Sequence, residues 1–330
     1  MPKLVRKDKK KIKVVKSKLS GLKLSDLKIP NDYKLDKNGI TQSMIQTYLD
    51  CRVKFLYNIN KLQAGQSIER TLFGTCMHLG LEWLYKTSVI DVALDTLERK
   101  WNIYSNSLIG VKRETVMGVF ELTCALLPIY YEVYEKEIKE KTVSTVEKEF
   151  ETPFHNALLR GKIDGIKKET KGYKVIDHKT MSRVVEGSLM LKLSFDFQMM
   201  FYAFCAKSFH PVNGCIYNVI RKPALKQKKT ESNKDYYDRI LNDIKSRPDF
   251  YFFRYPITFT KQDFFKFEIE LRNILDEIHS FLHGNISIFK NGRSCMTFSQ
   301  CEFLESCAKQ SLIGLHNKEK MFSELDHCKY

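Results

Sequence analysis

The sequence predicts a mixed α/β (α+β) fold, in which helices surround a short mixed sheet. The apolar periodicity changes twice along the chain. It is helical over residues 41–139, changes to the two-residue period of strands over 146–180, and becomes helical again from residue 188. The 330 residues are enough for one large core, or for one core with an appended subdomain.

The region before the strands is predicted to hold three helices. In residues 41–62 the apolar side chains recur every three or four positions, and either Thr41 or Ser43 is a suitable N-cap. A second helix is expected over residues 71–86, and a third over about 90–139 with one interruption. These segments predict a helical part that precedes the sheet.

Three strands follow, at residues 146–154, 157–166 and 173–180. The polar link KKETKG at 167–172 joins the last two strands into a hairpin. The side chains that these two strands carry should therefore lie within reach of one another.

The C-terminal half alternates helices with strands. We expect a helix over residues 188–208, a strand over 214–220, a charged surface helix over 224–248, a strand over 249–260 and a long helix over 261–284. This alternation adds strands to the sheet and helices around it.

The predicted elements group into three regions. Residues 1–36 form a basic, flexible arm. Residues 37–290 form the main domain, with a helical part at 41–140 and a core at 146–220. Residues 291–330 form a Cys-rich tail.

The charge of the chain predicts a polyanionic partner. The formal net charge is +16, and residues 1–20 contain nine Lys or Arg against one Asp, so this arm supplies half of it. Nucleic acid is the most common polyanion that binds such a surface, because neutralised phosphates release their counterions. The alternative is that a Lys-rich arm serves solubility alone.

The apolar residues do not predict a membrane protein. No uninterrupted apolar run reaches the roughly 20 residues that span a bilayer. The N-terminal residues are basic but lack the apolar stretch of a signal peptide. We therefore expect a cytoplasmic protein.

Two carboxylates and a lysine are predicted to meet on the hairpin. In IDHKT at 176–180, Asp177 and Lys179 share one face of the strand, and His178 points to the other face. Asp164, in GKIDGI, lies on the partner strand within cross-strand reach. Such oxygens suit Mg²⁺, and a nearby lysine can orient a water or balance the charge of a phosphate. The alternative is an exposed ion pair on a hairpin.

Four segments, in order and in spacing, resemble the motifs of a known family. They are GTCMH at 74–78, GKIDGI at 161–166, IDHKT at 176–180 and DFQMMFYAF at 196–204. With these segments the chain resembles a RecB-like nuclease of the PD-(D/E)XK superfamily, of the phage-encoded or CRISPR-associated exonuclease type that has an iron–sulfur cluster. The resemblance implies a restriction-endonuclease-like core.

The resemblance implies a set of metal ligands. His78, Asp164 and Asp177 would hold one or two Mg²⁺ or Mn²⁺ ions, with the backbone carbonyl of His178 as a further ligand. An imidazole beside carboxylates suits Mn²⁺. The alternative for His78, which lies in an apolar helix, is a core histidine with its hydrogen bonds satisfied.

The resemblance also implies catalytic and substrate-holding side chains. Lys179 would assist the attack of water on the phosphodiester. Gln198 and Tyr202 are four residues apart, so they lie on one face of a helix, where they would hold the substrate backbone or position the lysine. The alternative is a polar helix edge with a packed tyrosine. Glu149 and Glu151, on the strand before the site, are lesser candidates.

The cysteines form a second pattern. Cys295, Cys301 and Cys307 are six residues apart, and Cys51 lies far upstream. The resemblance implies that these four thiolates hold a [4Fe–4S] cluster, so that the tail at 291–330 is a C-terminal clasp on Cys51. Four thiolates suit Zn²⁺ equally well. The alternative is a set of ordinary reduced thiols.

Basic residues next to aromatic strands are candidate nucleic-acid contacts. They are Arg221 and Lys222 in NVIRKPALKQKK and Arg254 in FFRYP. Single-strand channels combine charges for phosphates with rings for bases. The alternative is a solvated basic loop beside a packed core.

Together, these features predict a metal-dependent DNA nuclease, an exonuclease that prefers single-stranded ends. Phage or bacterial recombination, DNA processing or defence would use this activity, with recombination or helicase proteins as partners. One alternative is a binding subunit that keeps the fold without catalysis. Another is an endonuclease or RNA nuclease that uses the same site.

Overall fold

A computed structural model describes residues 22–64, 71–108, 111–297, 300–322 and 325 of the chain. Within these ranges a mixed sheet has helices on both faces, which confirms the predicted α/β class. The strongly basic residues 1–20 of the predicted arm lie outside the described residues.

Seven helices among the described residues precede the long strands of the sheet. They are α1 (Leu35–Asn38), α2 (Gln42–Asp50), α3 (Arg52–Ile59), α4 (Leu72–Thr87), α5 (Ile90–Ser107), α6 (Arg113–Val133) and α7 (Glu135–Lys139). Thr41 is the N-cap of α2, because its hydroxyl accepts a hydrogen bond from the amide of Met44 at 3.3 Å. The predicted helix over 41–62 is divided in two at Cys51, whose backbone is extended.

Eight strands lie among the described residues: β1 (Ile40–Thr41), β2 (Leu62–Gln63), β3 (Val143–Phe154), β4 (Ala157–Glu169), β5 (Gly172–Met181), β6 (Val212–Arg221), β7 (Phe252–Thr258) and β8 (His316–Asn317). The five long strands, β3 to β7, agree with the predicted ones to within a few residues, whereas the two-residue strands β1, β2 and β8 were not predicted. Strands β2 and β8 form a separate antiparallel pair, and the others form one sheet.

The pairing of β4 decides where the sheet opens. Strand β3 runs antiparallel to β4 along most of its length, and β1 pairs parallel with it at Leu159 and Arg160. Strand β5 pairs with β4 only from Glu169↔Gly172 to Gly165↔Ile176. Asp164 and Asp177 are therefore the first residues beyond the point at which β4 and β5 separate.

The sheet continues through β6, which is parallel to β5, to β7, which is antiparallel to β6. Later helices pack around it: α8 (Glu186–Leu193), α9 (Phe197–Ala206), α10 (Asn233–Ser246), α11 (Pro248–Tyr251), α12 (Lys261–Leu282) and α13 (Leu304–Lys309). The predicted helix over 188–208 is thus two helices. The second begins where the Asp196 carboxylate accepts from the amide of Met199 at 3.1 Å.

Two apolar clusters cover the two faces of the sheet. Val175 belongs to the cluster with α9 and α12, whereas the next residue, Ile176, belongs to the cluster with α4, α5 and α6. A third, smaller cluster joins α3 to the C-terminal residues through Tyr57 and Phe303, whose rings stack at 4.4 Å. Because Val175 and Ile176 lie in different clusters, successive side chains of β5 face opposite sides of the sheet, as predicted.

Residues 22–36 differ from the predicted flexible arm. Tyr33 and Leu35 are buried, with 4% and 3% of their surface exposed, and the Leu24 amide bonds to the carbonyl of Gln310 at 3.1 Å. Apolar side chains within a short polar segment therefore dock on the main domain, so the domain begins before the predicted boundary.

Helix α6 has the length and apolar composition of a membrane-spanning segment, although sequence analysis found no uninterrupted apolar run of that length. It is a helix of the core, since Leu126, Leu127 and Tyr130 are buried against α4. Helix α6 also carries Glu121 near its middle.

Candidate active site

A cleft of about 470 Å³ opens where β4 and β5 separate. Helix α4 and strands β3, β4 and β5 each place a charged or titratable side chain in it, and α9 adds two polar ones. The motifs recognised in the sequence at 74–78, 161–166, 176–180 and 196–204 thus come together at one place.

Asp164 connects the two separated strands and the helix. Its Oδ2 accepts a hydrogen bond from the amide of His178 at 2.7 Å, and its Oδ1 lies 3.6 Å from Nδ1 of His78. Burial alone would raise the pKa of Asp164, but the His78 ring outweighs burial and lowers it well below its usual range. Burial opposes the charged form of His78 too, yet Asp164 raises its pKa to about 9. Without a metal, the two therefore form an ion pair at neutral pH.

Glu147 completes this group, and sequence analysis did not select it. One ligand atom each from His78, Glu147 and Asp164 lies within 4.8 Å of the others. Burial and the charge of Asp164 raise the pKa of Glu147 to about 7, although Lys162 pairs with its carboxylate. Three partly buried donors of this kind in one place suit a divalent cation.

Glu147 has an unusual backbone conformation and lies alongside Asp164 in the β3–β4 register. Its φ is +52°, in the left-handed region, within a strand. The β3–β4 register has Val146 opposite Gly165 and Lys148 opposite Ile163, so Glu147 and Asp164 lie between these two pairs. Such a conformation costs a non-glycine residue about 1–3 kcal/mol and tends to occur at functional sites. Alternation alone does not distinguish Glu147 from Glu149 and Glu151.

Asp177 and Lys179 lie beside this group. The ammonium of Lys179 donates to Oδ1 of Asp177 at 3.0 Å and lies 2.8 Å from Oδ2, so both oxygens of this buried carboxylate contact the cation. Burial raises the pKa of Asp177 to about 6. Burial would lower the pKa of Lys179, but Asp177 raises it above its usual range. Lys179 is therefore a cation at neutral pH.

These features fit a divalent metal. The carboxylates of Glu147 and Asp164 and the ring of His78 converge on one place, where the two carboxylates oppose each other's charge and a divalent cation would relieve that repulsion. His78, Glu147 and Asp164 would hold the ion, whereas Asp177, which sequence analysis expected among the ligands, is not part of this group and pairs with Lys179. Mg²⁺ or Mn²⁺ matches these donors.

Gln198 and Tyr202 line the same cleft from α9. Burial raises the pKa of Tyr202, and a hydrogen bond with Gln198 offsets this only in part, so the phenol stays protonated. Gly161 makes room for this face: a Cβ there would lie 2.5 Å from the Phe150 ring and 3.2 Å from the Tyr202 ring. The glycine of the GKIDGI motif therefore lets α9 approach β4.

The comparison with protein families agrees with this geometry. The model of the PD-(D/E)XK nuclease superfamily matches residues 40–308. The chain belongs to the PD-(D/E)XK nuclease superfamily. No curated protein matches it. Membership of the superfamily indicates a metal-dependent nuclease with a nucleic-acid substrate, and the group of His78, Glu147 and Asp164 is its candidate metal site.

Arg254 is placed differently from the predicted nucleic-acid contact. Its side chain is only 13% exposed. The guanidinium donates to Glu137 at 2.7 and 2.9 Å, to the Tyr85 hydroxyl at 2.8 Å and to the Tyr130 hydroxyl at 2.9 Å. The sequence around Arg254 in β7 does not indicate these partners, which lie on the three helices α4, α6 and α7. Each of the three nitrogens of Arg254 thus has an acceptor inside the protein, which orients the guanidinium towards these helices and Asn218.

The other two predicted contacts lie at the end of β6, next to the end of β5. Both are partly exposed. The guanidinium of Arg221 lies 3.9 Å from the centre of the Phe250 ring, and the ammonium of Lys222 lies 5.4 Å from that of Phe73. The expected combination of cations and rings is present there.

The four cysteines of the predicted clasp are neighbours. Cys51, Cys301 and Cys307 pack against the cluster of Tyr57 and Phe303, and the amide of Cys301 donates to the carbonyl of Cys295 at 2.8 Å. Burial raises the pKa of the Cys307 thiol, and Cys301 and Cys51 raise it further. In the part of the chain that the structure describes, their sulfur atoms do not form a tight metal-ligand group.

Proposed function

We propose that this PD-(D/E)XK protein is an exonuclease that degrades DNA from single-stranded ends with Mg²⁺ or Mn²⁺. The observation that supports catalysis is the convergence of His78, Glu147 and Asp164 with the Asp177–Lys179 pair where β4 and β5 separate. A binding subunit would not need buried carboxylates that oppose one another's charge.

The residues of the cleft have different roles in the proposed reaction. A divalent ion held by the acidic group would supply positive charge to the phosphate and activate the attacking water. Lys179, a cation at neutral pH, neutralises a phosphate oxygen or orients the water and does not take its proton. Gln198 and Tyr202 donate hydrogen bonds to the phosphate backbone from the opposite wall of the cleft.

An apolar rim next to the cleft supports the preference for single strands. Helix α8 is anchored by the buried Leu189 and Leu193, and the apolar residues around them face solvent: Val185, Met190, Leu191 and Phe195. Phe195 is 77% exposed and precedes Gln198 by three residues, which places their Cα atoms within about 11 Å. Unpaired bases can stack on such side chains, whereas bases inside a duplex cannot.

Replacing Phe195 with alanine should therefore weaken the activity on single strands. We expect KM for linear single-stranded DNA to rise about 5- to 100-fold, since one base stacked on an aromatic ring contributes about 1–3 kcal/mol. Activity on duplex ends should change little. Phe265→Ala is the matched control, because Phe265 is 58% exposed on α12, which does not line the cleft. Equal losses on both substrates would contradict the role of the rim.

We also propose the [4Fe–4S] cluster that the resemblance implies, held by Cys51, Cys295, Cys301 and Cys307. The position of Cys51, Cys301 and Cys307 around one small apolar cluster, with Cys295 bonded to Cys301 through the backbone, supports it, since binding would join α3 to the C-terminal residues. Zn²⁺ is the alternative metal. The role is structural, because these residues are not among those that line the catalytic cleft.

Metal analysis of anaerobically purified protein tests this cluster. We expect about four iron atoms per chain and a broad visible absorption. Cys307→Ser should remove both and lower the melting temperature, whereas Cys124→Ala, outside the clasp, should keep them. About one zinc per chain without iron would favour the alternative, and no bound metal in wild-type protein would contradict the clasp.

The proposed setting is the cytoplasm of a bacterial or phage-infected cell, with recombination or helicase proteins as partners. The resemblance to phage-encoded and CRISPR-associated exonucleases supports this setting. Recombination, DNA processing and defence all require the removal of single-stranded ends.

The function is tested with linear and circular single-stranded DNA in Mn²⁺ or Mg²⁺. We expect wild-type protein to degrade only the linear form, and Lys179→Ala to degrade neither. Lys266→Ala, an exposed lysine on α12, should behave as wild type.

The other outcomes separate the alternatives. Cleavage of circles as well would mean an endonuclease with the same site, and degradation of RNA instead of DNA would change the substrate. If wild-type protein with its metals bound degraded none of these, catalysis would be excluded in favour of a binding subunit.

A further inference from the structure

A row of three polar residues crosses the sheet behind the candidate metal site. His178 on β5 is opposite Asn218 on β6, which is opposite Arg254 on β7. His178 and Asn218 are 3% and 0% exposed. A polar row buried between apolar clusters is costly unless every group has its partner.

Only one orientation of the Asn218 amide is consistent with its hydrogen bonds. Nε of Arg254 lies 2.9 Å from Oδ1 of Asn218, and a guanidinium can only donate, so this atom of the amide is its oxygen. The amide nitrogen then faces Nδ1 of His178 at 2.6 Å. Because the amide nitrogen is a donor, Nδ1 is the acceptor, and the proton of a neutral ring is on Nε2.

Arg254 cannot turn away from Asn218, because its other donors are held. Two of its nitrogens bind the carboxylate of Glu137 on α7, and one of these also binds the hydroxyls of Tyr85 on α4 and Tyr130 on α6. A buried ion pair of this kind seldom adds stability compared with well-packed apolar side chains. Its value here is therefore the fixed orientation that it gives to Asn218.

The His178 ring is held on its faces as well. It stacks on Tyr85, with ring centres 5.9 Å apart, and the His78 ring meets it edge-on at 5.9 Å. The amide of His178 donates to Asp164. His178 is also one of the residues that line the catalytic cleft, and its ring contacts that of His78, which lines the cleft as well.

We propose that Asn218, oriented by Arg254, is a positioning residue that keeps the proton of His178 on Nε2, so that the ring is a neutral hydrogen-bond donor to a phosphate oxygen of the nucleic acid in the cleft. The proposal rests on the proposed nuclease function for the identity of the acceptor. The position of the proton is independent of that function.

The position of the proton can be measured without any substrate. In ¹⁵N-histidine-labelled protein without added metal, long-range ¹H–¹⁵N spectra distinguish the two ring nitrogens, and His178→Asn identifies the signals of His178. We expect wild-type protein to carry the proton on Nε2. In Asn218→Asp the amide donor becomes an acceptor, so we expect a proton on Nδ1. Asn38→Asp is the control, since its side-chain oxygen accepts from the Lys34 amide at 2.7 Å and aspartate keeps this bond.

The donor itself is tested by two amides that resemble different ends of the ring. His178→Gln places an N–H near the position of Nε2, whereas His178→Asn places only an oxygen near Nδ1 and has nothing at Nε2. We expect kcat to fall about 10- to 100-fold in His178→Asn, as for lost supporting groups in metal sites, and to be largely restored in His178→Gln. The same two changes at His210, which stacks on Tyr173 at 4.7 Å outside the cleft, should leave kcat unchanged.

Several results would overturn the proposal. A wild-type proton on Nδ1 would contradict the orientation of Asn218, and this measurement needs no variant to fold. An unchanged proton position in Asn218→Asp would exclude Asn218 as its cause. Equal activities of His178→Gln and His178→Asn would show that the ring only fills space. If wild-type protein degraded no nucleic acid, the nuclease function would fall and with it the phosphate acceptor, whereas the spectra would still decide the position of the proton.

Discussion

Replacing Asp164 with asparagine should abolish Mn²⁺ binding and lower kcat/KM about a thousandfold or more. Loss of a single group that stabilises charge in the transition state costs about 10²–10³, and Asp164 also belongs to the candidate metal site. Asparagine can still accept the hydrogen bond from the His178 amide, so the strands should remain in place. Calorimetric titration with Mn²⁺ and steady-state kinetics measure the two effects.

A second carboxylate–histidine pair provides the control. Asp276 lies 2.6 Å from Nε2 of His155 at the surface, outside the cleft. Asp276→Asn should therefore bind Mn²⁺ and degrade DNA as wild type does. Mn²⁺ binding of wild-type strength in Asp164→Asn would show that the metal lies elsewhere.

Replacing Glu147 with glutamine should stabilise the metal-free protein while it removes metal binding. The folded-state pKa of Glu147, about 7, is above its value of 4.5 in the unfolded chain. A raised pKa means that stability is complete below pH 4.5 and is lost as pH rises through 7, because the buried charge then forms. Glutamine avoids this loss, so at pH 8 we expect a gain of about 1–3 kcal/mol in the free energy of unfolding.

Thermal unfolding in EDTA measures this gain, which corresponds to a few degrees in Tm. The difference from wild type should appear between about pH 4.5 and 7 and remain constant above it. Glu151→Gln on the same strand is the control, since Glu151 is 54% exposed beside Arg160. A lower Tm for Glu147→Gln at pH 8 would mean that the pairing with Lys162 outweighs burial.

The part of the site that follows from strand alternation could be predicted from the sequence. Asp164, Asp177 and Lys179 are placed by the period of two and by a short hairpin link, both of which are local properties. The presence of a helix over 71–86 followed from apolar periodicity, and the role of His78 within it followed from the family motif.

The rest depends on backbone geometry and on distant partners. Which of the three glutamates of β3 lies beside Asp164 is decided by the β3–β4 register, and this register brings Glu147 there. From the sequence, Arg254 was predicted to contact nucleic acid, because its partners Glu137, Tyr85 and Tyr130 are more than a hundred residues away along the chain and could not be identified. Contacts of this kind form only when the helices pack on the sheet, so a local sequence pattern does not reveal them.

The position of Arg254 has a consequence for the time at which the enzyme becomes active during its synthesis. Every candidate catalytic residue from His78 to Tyr202 leaves the ribosome before Arg254 does. Until Arg254 arrives, Glu137 lacks its bidentate partner and the cluster of α4 and α6 has no guanidinium to hold it to the sheet. The order of synthesis therefore separates the appearance of the catalytic residues from the moment at which α4, α6 and α7 are fixed to the sheet through β7.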